Sequence, residues 1–125
     1  MSATETQIPI VVGGSRPDTL TVLNHHLAAF SLGLAELMLD YDDQSVIIMP
    51  EQVIRGRQQI EGYFNDFLDK TTPEFWQAFE LKTVTVEGEI AYITWRALPF
   101  VQLATDTLYI KNGKIVTQTF TSFGL

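Results

Sequence analysis

Leu20, Leu23, Leu27, Phe30, Leu34 and Leu37 follow one another at alternating spacings of three and four, the apolar stripe of an amphipathic helix. The pattern opens at Pro17-Asp18, where Ser15 or Asp18 can cap the start and Pro17 suits a first turn. Gly33 is expected to divide the stretch into a long helix and a short one ending near Asp40. Ser45 to Met49 then reads as a short buried strand closed by Pro50, and Val53 to Arg55 as another closed by Gly56. A second amphipathic helix runs from about Arg57, with Ile60, Phe64, Phe67 and Leu68 on one face. It stops before Thr72-Pro73, because the residue preceding a proline avoids helical angles. Glu74 to Phe79 is read as one further helical turn.

The remainder reads as strand. Leu81 to Val86 and Ile90 to Leu98 flank Glu87-Gly88, and Gln102 to Lys111 and Lys114 to Phe123 flank Asn112-Gly113, a strong hairpin signal. Helices followed by antiparallel strands predict an α+β domain with its helices on one face of the sheet. Residues 1–16 carry no helical period and, apart from the patch Ile8 to Val12, are polar. They are expected to form an N-terminal tail that packs locally, leaving residues 17–125 as the single domain.

Composition narrows the function more than the fold. The chain has 125 residues, no Cys, and 8 Lys and Arg against 15 Asp and Glu, for a formal charge of -7. Disulfides, thiolate metal sites and Cys nucleophiles are excluded. Nucleic-acid binding is not expected, because phosphate neutralisation needs clustered cations and Arg55-Gly56-Arg57 is too small a spot. No apolar run approaches the ~20 residues that cross a bilayer, and the first residues lack a basic start with an apolar stretch behind it. The expectation is a cytoplasmic protein with no membrane partner. Gly13-Gly14-Ser15 is not followed by a phosphate-loop Lys, no dinucleotide fingerprint occurs, and Ser-His-Asp catalysis lacks its elbow.

Tyr41-Asp42-Asp43, Pro50, Gly56, Ile60 and Phe64, set between a helix pair and four long strands, resemble the punctuation of the nuclear-transport-factor-2-like superfamily, which includes SnoaL-like cyclases and steroid delta-isomerases. The resemblance spans roughly residues 18–124. It implies a cystatin-like cone in which three N-terminal helices pack on a strongly curved, mainly antiparallel sheet around an apolar pocket. It also implies homodimers formed through the outer sheet face.

Within that frame Asp106 is the most informative residue. A two-residue turn at Asn112-Gly113 places it opposite Thr119, on a face with Ala104, Leu108, Ile110, Ile115, Thr117, Thr121 and Phe123. Thr105 to Leu108 with Gly113 to Val116 looks like the last hairpin of ketosteroid isomerase, where the matching Asp is a protonated donor in an oxyanion hole, a well-known case. Desolvation favours that neutral form, and the competing reading is a solvated or Thr-bonded strand Asp. On the first helix His26 lies on the flank of the apolar stripe and His25 nearly opposite its centre, so His26 is the one expected to reach the interior. Alignment to the isomerase helix places the second oxyanion donor at His26 with a one-residue gap near Gly33, and at His25 without it. The alternative for His26 is a half-buried boundary position.

Met49 departs from the resemblance: ketosteroid isomerases carry their proton-moving Asp just before the matching proline, and Met accepts no proton. Epoxide-hydrolase chemistry is not expected either, since alternation puts Arg96 on the opposite face to Val84, Ala91, Ile93 and Trp95. The acidic stretch Glu36, Asp40, Asp42, Asp43 and Glu51 lacks the alternating ligands of a calcium loop and reads as a turn. His25 and His26 lie on different helix faces and do not chelate one metal. Neither metal nor cofactor is expected.

Tyr63, Phe64, Phe67, Trp76, Phe79, Trp95, Phe100, Phe120 and Phe123 suffice to line a cavity for a small apolar molecule, although core packing explains most of them equally. Leu103, Tyr109, Val116 and Phe120 are expected on the outer face, where a homodimer would cover them. Two readings follow. One is a cofactor-independent isomerase, cyclase or dehydratase acting on an apolar carbonyl compound, with Asp106 and His26 catalytic and Tyr41, Met49, Phe64, Trp95, Thr119 and Phe123 binding substrate. The other is a non-catalytic ligand-binding or dimerisation module.

Overall fold

The computed structural model describes residues 10–13 and 17–124. The stripe from Leu20 to Leu37 forms α1 (Pro17–Ala29) and α2 (Leu34–Met38), separated at Gly33, whose φ of 111° suits a residue without Cβ. Asp18 lies inside the first turn of α1 rather than ahead of it, and Ser15, the other candidate cap, falls outside the described residues. The strands β2 (Val46–Ile48) and β3 (Val53–Arg55) follow, then α3 (Gly56–Lys70) and α4 (Pro73–Ala78). The last of these is capped by Thr72, whose hydroxyl accepts from the Phe75 N–H at 3.1 Å. Four long strands complete the chain: β4 (Phe79–Glu87), β5 (Ile90–Ala97), β6 (Val101–Lys111) and β7 (Lys114–Phe123).

Two expectations change at this level. Part of the expected tail is a strand, β1 (Ile10–Gly13), which runs parallel to β4 from the pairing of Ile10 with Val84. The sheet is mixed and mostly antiparallel, in the order β1-β4-β5-β6-β7-β2-β3, and it is not strongly curled. Register shifts at Leu81/Thr83 and at Trp95/Ala97 bend it only locally.

Alternation along the central strands sets one face against the helices. Ala91, Ile93, Trp95 and Ala97 of β5 are buried, as are Ala104, Asp106, Leu108 and Ile110 of β6. The side of α1 that meets this face is Thr19, Val22, Leu23, His26 and Ala29, turned from the Leu stripe, so that Leu20 and Leu27 are only partly buried. Thr19 accounts for the turn: its hydroxyl donates to the Gly88 carbonyl at 2.7 Å and ties α1 to the β4–β5 connection. His26 is thereby carried fully inside rather than to a boundary.

The decisive detail is a bulge in the β6–β7 hairpin. Ile110 pairs with Ile115 as the Asn112-Gly113 turn predicts, but Tyr109 pairs with Thr117, leaving Val116 as the extra residue. Beyond it every partner moves by one and the faces exchange. Asp106 therefore pairs with Phe120, and Thr119 pairs with Thr107 and is exposed. Phe123 pairs with Leu103 and stands 60% exposed. Thr119 and Phe123 are removed from the predicted site, and Phe120 from the predicted outer face.

Candidate active site

A cavity of about 140 Å³ lies between the inner sheet face and the helices. The sheet contributes Ile47 from β2, Ile93 and Trp95 from β5, Asp106 from β6, and Gln118 and Phe120 from β7. Helix α1 closes it with His26, Leu27 and Phe30, and α3 with Tyr63, Phe64 and Phe67. Phe75 and Trp76 of α4 form the remaining rim with Phe79. The structure thus brings together Asp106, His26, Phe64 and Trp95, all expected at the site.

Asp106 is 7% exposed and held at both oxygens. The Trp95 indole N–H donates to Oδ1 at 2.9 Å, and the Gln118 amide N–H donates to Oδ2 at 2.9 Å. Gln118 accepts in turn from the Tyr41 hydroxyl at 2.5 Å. Tyr41, 1% exposed, is therefore not a wall of the cavity but the outer end of a chain that orients the Gln118 amide. Burial pushes the Asp106 carboxyl up to about 6, against the two N–H bonds, which favour the charged form. Each oxygen keeps a free lone pair.

His26 is 3% exposed, and its Nδ1 is wholly buried with no hydrogen-bond partner. Burial, with a smaller contribution from His25, lowers its pKa to about 4, so the ring is neutral near pH 7. An orphaned lone pair costs less than an orphaned N–H, which puts the proton on Nε2 and leaves the ring one donor. The ring packs edge-on against Phe30 at 5.1 Å and Phe64 at 6.4 Å between centroids. Tyr63 also lines the cavity, its hydroxyl pushed up to about 12 by burial and then by the Asp106 charge.

His25, on the far side of α1, has a different setting. Its Nδ1 lies 2.7 Å from Asp40 Oδ2 and its Nε2 2.8 Å from Glu36 Oε2, and the two hydrogen bonds raise its pKa. These two bonds join α1 to Glu36 of α2 and to Asp40 just beyond it. Asp40 is 5% exposed, a second buried carboxylate that the sequence did not disclose.

Other expected residues lie elsewhere. Met49 packs partly buried against the core, outside the cavity lining. Phe100 is 39% exposed and Arg96 pairs with Glu80 at 2.9 Å on the other sheet face. Asp42 accepts from the Gln44 N–H at 2.9 Å, the local turn bond expected of it. Arg57 donates to the carbonyls of Met38 and Tyr41, satisfying the end of α2. Gln118, Phe30 and Phe75 are site residues that sequence reasoning missed. For Gln118 the signal was concealed by the bulge; Phe30 stood in the stripe but was assigned to the core.

No family model and no curated protein sequence matches the chain. Solved structures do. An NTF2-like protein of unknown function from Mesorhizobium loti superposes with a TM-score of 0.73 at 21% identity, covering 94% of this chain and 100% of that one. A proposed isomerase of the SnoaL-like family from Agrobacterium tumefaciens gives 0.63 at 16% identity, covering 87% and 100%. A proposed polyketide cyclase from Sinorhizobium meliloti gives 0.66 at 17% identity, covering 80% and 93%. Together with the helix-covered sheet and its interior cavity, these likenesses establish the nuclear-transport-factor-2-like fold, shared with SnoaL-like and ketosteroid-isomerase-like proteins.

Proposed function

We propose that the protein is an acid–base enzyme that moves a proton on a small apolar carbonyl compound, in the manner of an isomerase, cyclase or dehydratase and without cofactor or metal. The observation that carries this reading is the meeting of Asp106 and a neutral His26 on one aromatic cavity. Asp106, mostly ionised near pH 7, takes the proton from the carbon next to the carbonyl. The C–H electron pair becomes the enolate double bond, and the charge gathers on oxygen, where the His26 N–H donates to it. The carboxyl group then returns the proton to the same or a conjugated carbon. The Trp95 and Gln118 bonds favour the ionised carboxyl, which suits a base better than the neutral donor implied by resemblance to ketosteroid isomerase. Asp106 thus supplies the base that Met49 cannot. The solved structures described as a proposed isomerase and a proposed polyketide cyclase support the same class of chemistry.

The test requires no knowledge of the natural substrate. In heavy water, the α-hydrogens of cyclohexanone are expected to exchange faster with the protein than in buffer, saturably, as followed by proton NMR. The rate is expected to rise as pH increases through about 6, because the base must be deprotonated. No exchange above the buffer rate would leave the passive binding module as the reading. A second copy on the outer face, where Ile90, Tyr92, Leu103 and Phe123 are exposed, is part of the same proposal. Size-exclusion chromatography is expected to give twice the monomer mass of 14.1 kDa; a monomeric mass would remove the dimer.

A further inference from the structure

We infer that the cavity is shaped for an uncharged molecule of one ring and excludes fused polycycles of steroid size. This names the substrate class of the proposed site and rests on the reading that Asp106 and His26 meet the substrate.

Volume is the first argument. The cavity measures about 140 Å³, and an engineered cavity of about 150 Å³ with apolar walls takes up one benzene. A space that one ring fills does not admit four fused rings.

The walls are also braced against widening. Phe67 meets Phe75 at 88° and Trp76 at 83°, and Phe75 meets Trp76 at 83° with centroids 5.1 Å apart. Trp95 in turn meets Phe75 at 80° and stacks on Phe120 within 12° of parallel, and its indole is pinned by its bond to Asp106. Making room for a second ring separates several of these edge-to-face contacts at once, and packed interiors resist such change.

Charge is the third argument. Among the cavity-lining residues Asp106 carries the one formal charge near pH 7, and no Lys or Arg faces it there. An anionic ligand would bring a second negative charge into an apolar space without a partner. An uncharged carbonyl compound instead brings an acceptor for the one N–H of the neutral His26 ring, the Nε2–H.

Both tryptophans of the chain, Trp76 and Trp95, line the cavity, so intrinsic fluorescence reports its occupancy. Titration with cyclohexanone is expected to give a saturable one-to-one change, with cyclohexanecarboxylate and testosterone giving none. Leu27→Phe, which fills the cavity from α1, is expected to weaken cyclohexanone about tenfold or more. Circular dichroism verifies that the variant folds. Saturable one-to-one binding of testosterone or of the carboxylate by the unmodified protein would overturn the inference. So would cyclohexanone affinity unchanged in folded Leu27→Phe. Should Leu27→Phe not fold, saturable cyclohexanone binding with testosterone excluded supports the inference, and the reverse overturns it. Binding is read separately from exchange: cyclohexanone bound without α-hydrogen exchange removes the catalytic reading and leaves the size limit standing.

Discussion

Asp106→Asn is expected to lower the α-hydrogen exchange rate by about 100- to 10,000-fold, the usual contribution of a positioned general base, while the domain stays folded. Asn keeps the size of the carboxyl but cannot take a proton. Its carbonyl oxygen can still accept from the Trp95 indole, which occupies Oδ1 in the parent. Its amide would then face the Gln118 amide, donor against donor, since Gln118 donates to Oδ2. The conflict has a simple resolution: Gln118 rotates by half a turn, accepts from Asn, and presents its own N–H to the Tyr41 hydroxyl, which changes from donor to acceptor. The chain of bonds survives in reverse polarity. The variant therefore separates proton transfer from architecture, and cyclohexanone binding is expected to change far less than the rate. Exchange at the parent rate in folded Asp106→Asn would sink the assignment of the base.

The distance between what the sequence disclosed and what the structure shows is set by where each signal resides. Gly33, Thr72-Pro73 and Asn112-Gly113 act through their own backbone, and the helix break, helix end and hairpin turn occur where they stand. Asp106 and His26 were also legible, since strand alternation and helix angle are local properties. The bulge at Val116 was not. No Gly or Pro marks it, and β7 pairs with β2 on its other side, Thr117 against Val46, so its register answers to distant residues. That one extra residue exchanged Thr119 and Phe123 for Gln118 and Phe120. Asp40 was hidden for a related reason, because its partner His25 belongs to another helix. The setting of α1 depends likewise on Thr19 reaching Gly88 across 69 positions of sequence.

Asp106 and His26 are expected to make opposite and nearly cancelling contributions to the acid dependence of stability in the parent protein, and uncancelled ones in single variants. His26 has a folded pKa of about 4 against an ordinary value of 6.5. Its neutral form contributes stability fully above about 6.5, and the contribution is lost as pH falls towards about 4, because the unfolded chain takes the proton first. The difference corresponds to about 3 kcal/mol. Asp106 acts in the opposite direction. Its pKa rises from 3.8 to about 6, so its buried charge destabilises the fold above about 6, and that penalty is relieved as pH falls towards 3.8, again by about 3 kcal/mol. Over this window the two effects offset. Removing Asp106 leaves the His26 effect alone: Asp106→Asn is expected to lose about 3 kcal/mol more than the parent between about pH 7 and pH 4 in urea unfolding. His26→Leu leaves the Asp106 effect alone and is expected to gain about as much, relative to the parent, over the same interval. His25 does not confuse the comparison: its raised pKa places its own loss of stability at rising pH, from about 6.5 upwards, and because both variants retain it the effect cancels in the differences. Asp40, also raised by burial, is common to all three proteins and cancels in the differences. Parallel curves for the parent and both variants would show that neither group titrates in the interior as its burial requires. Opposed curves would tie the acid response to the same two side chains that face the cavity, linking the cost of burying them to the proton transfer proposed for them.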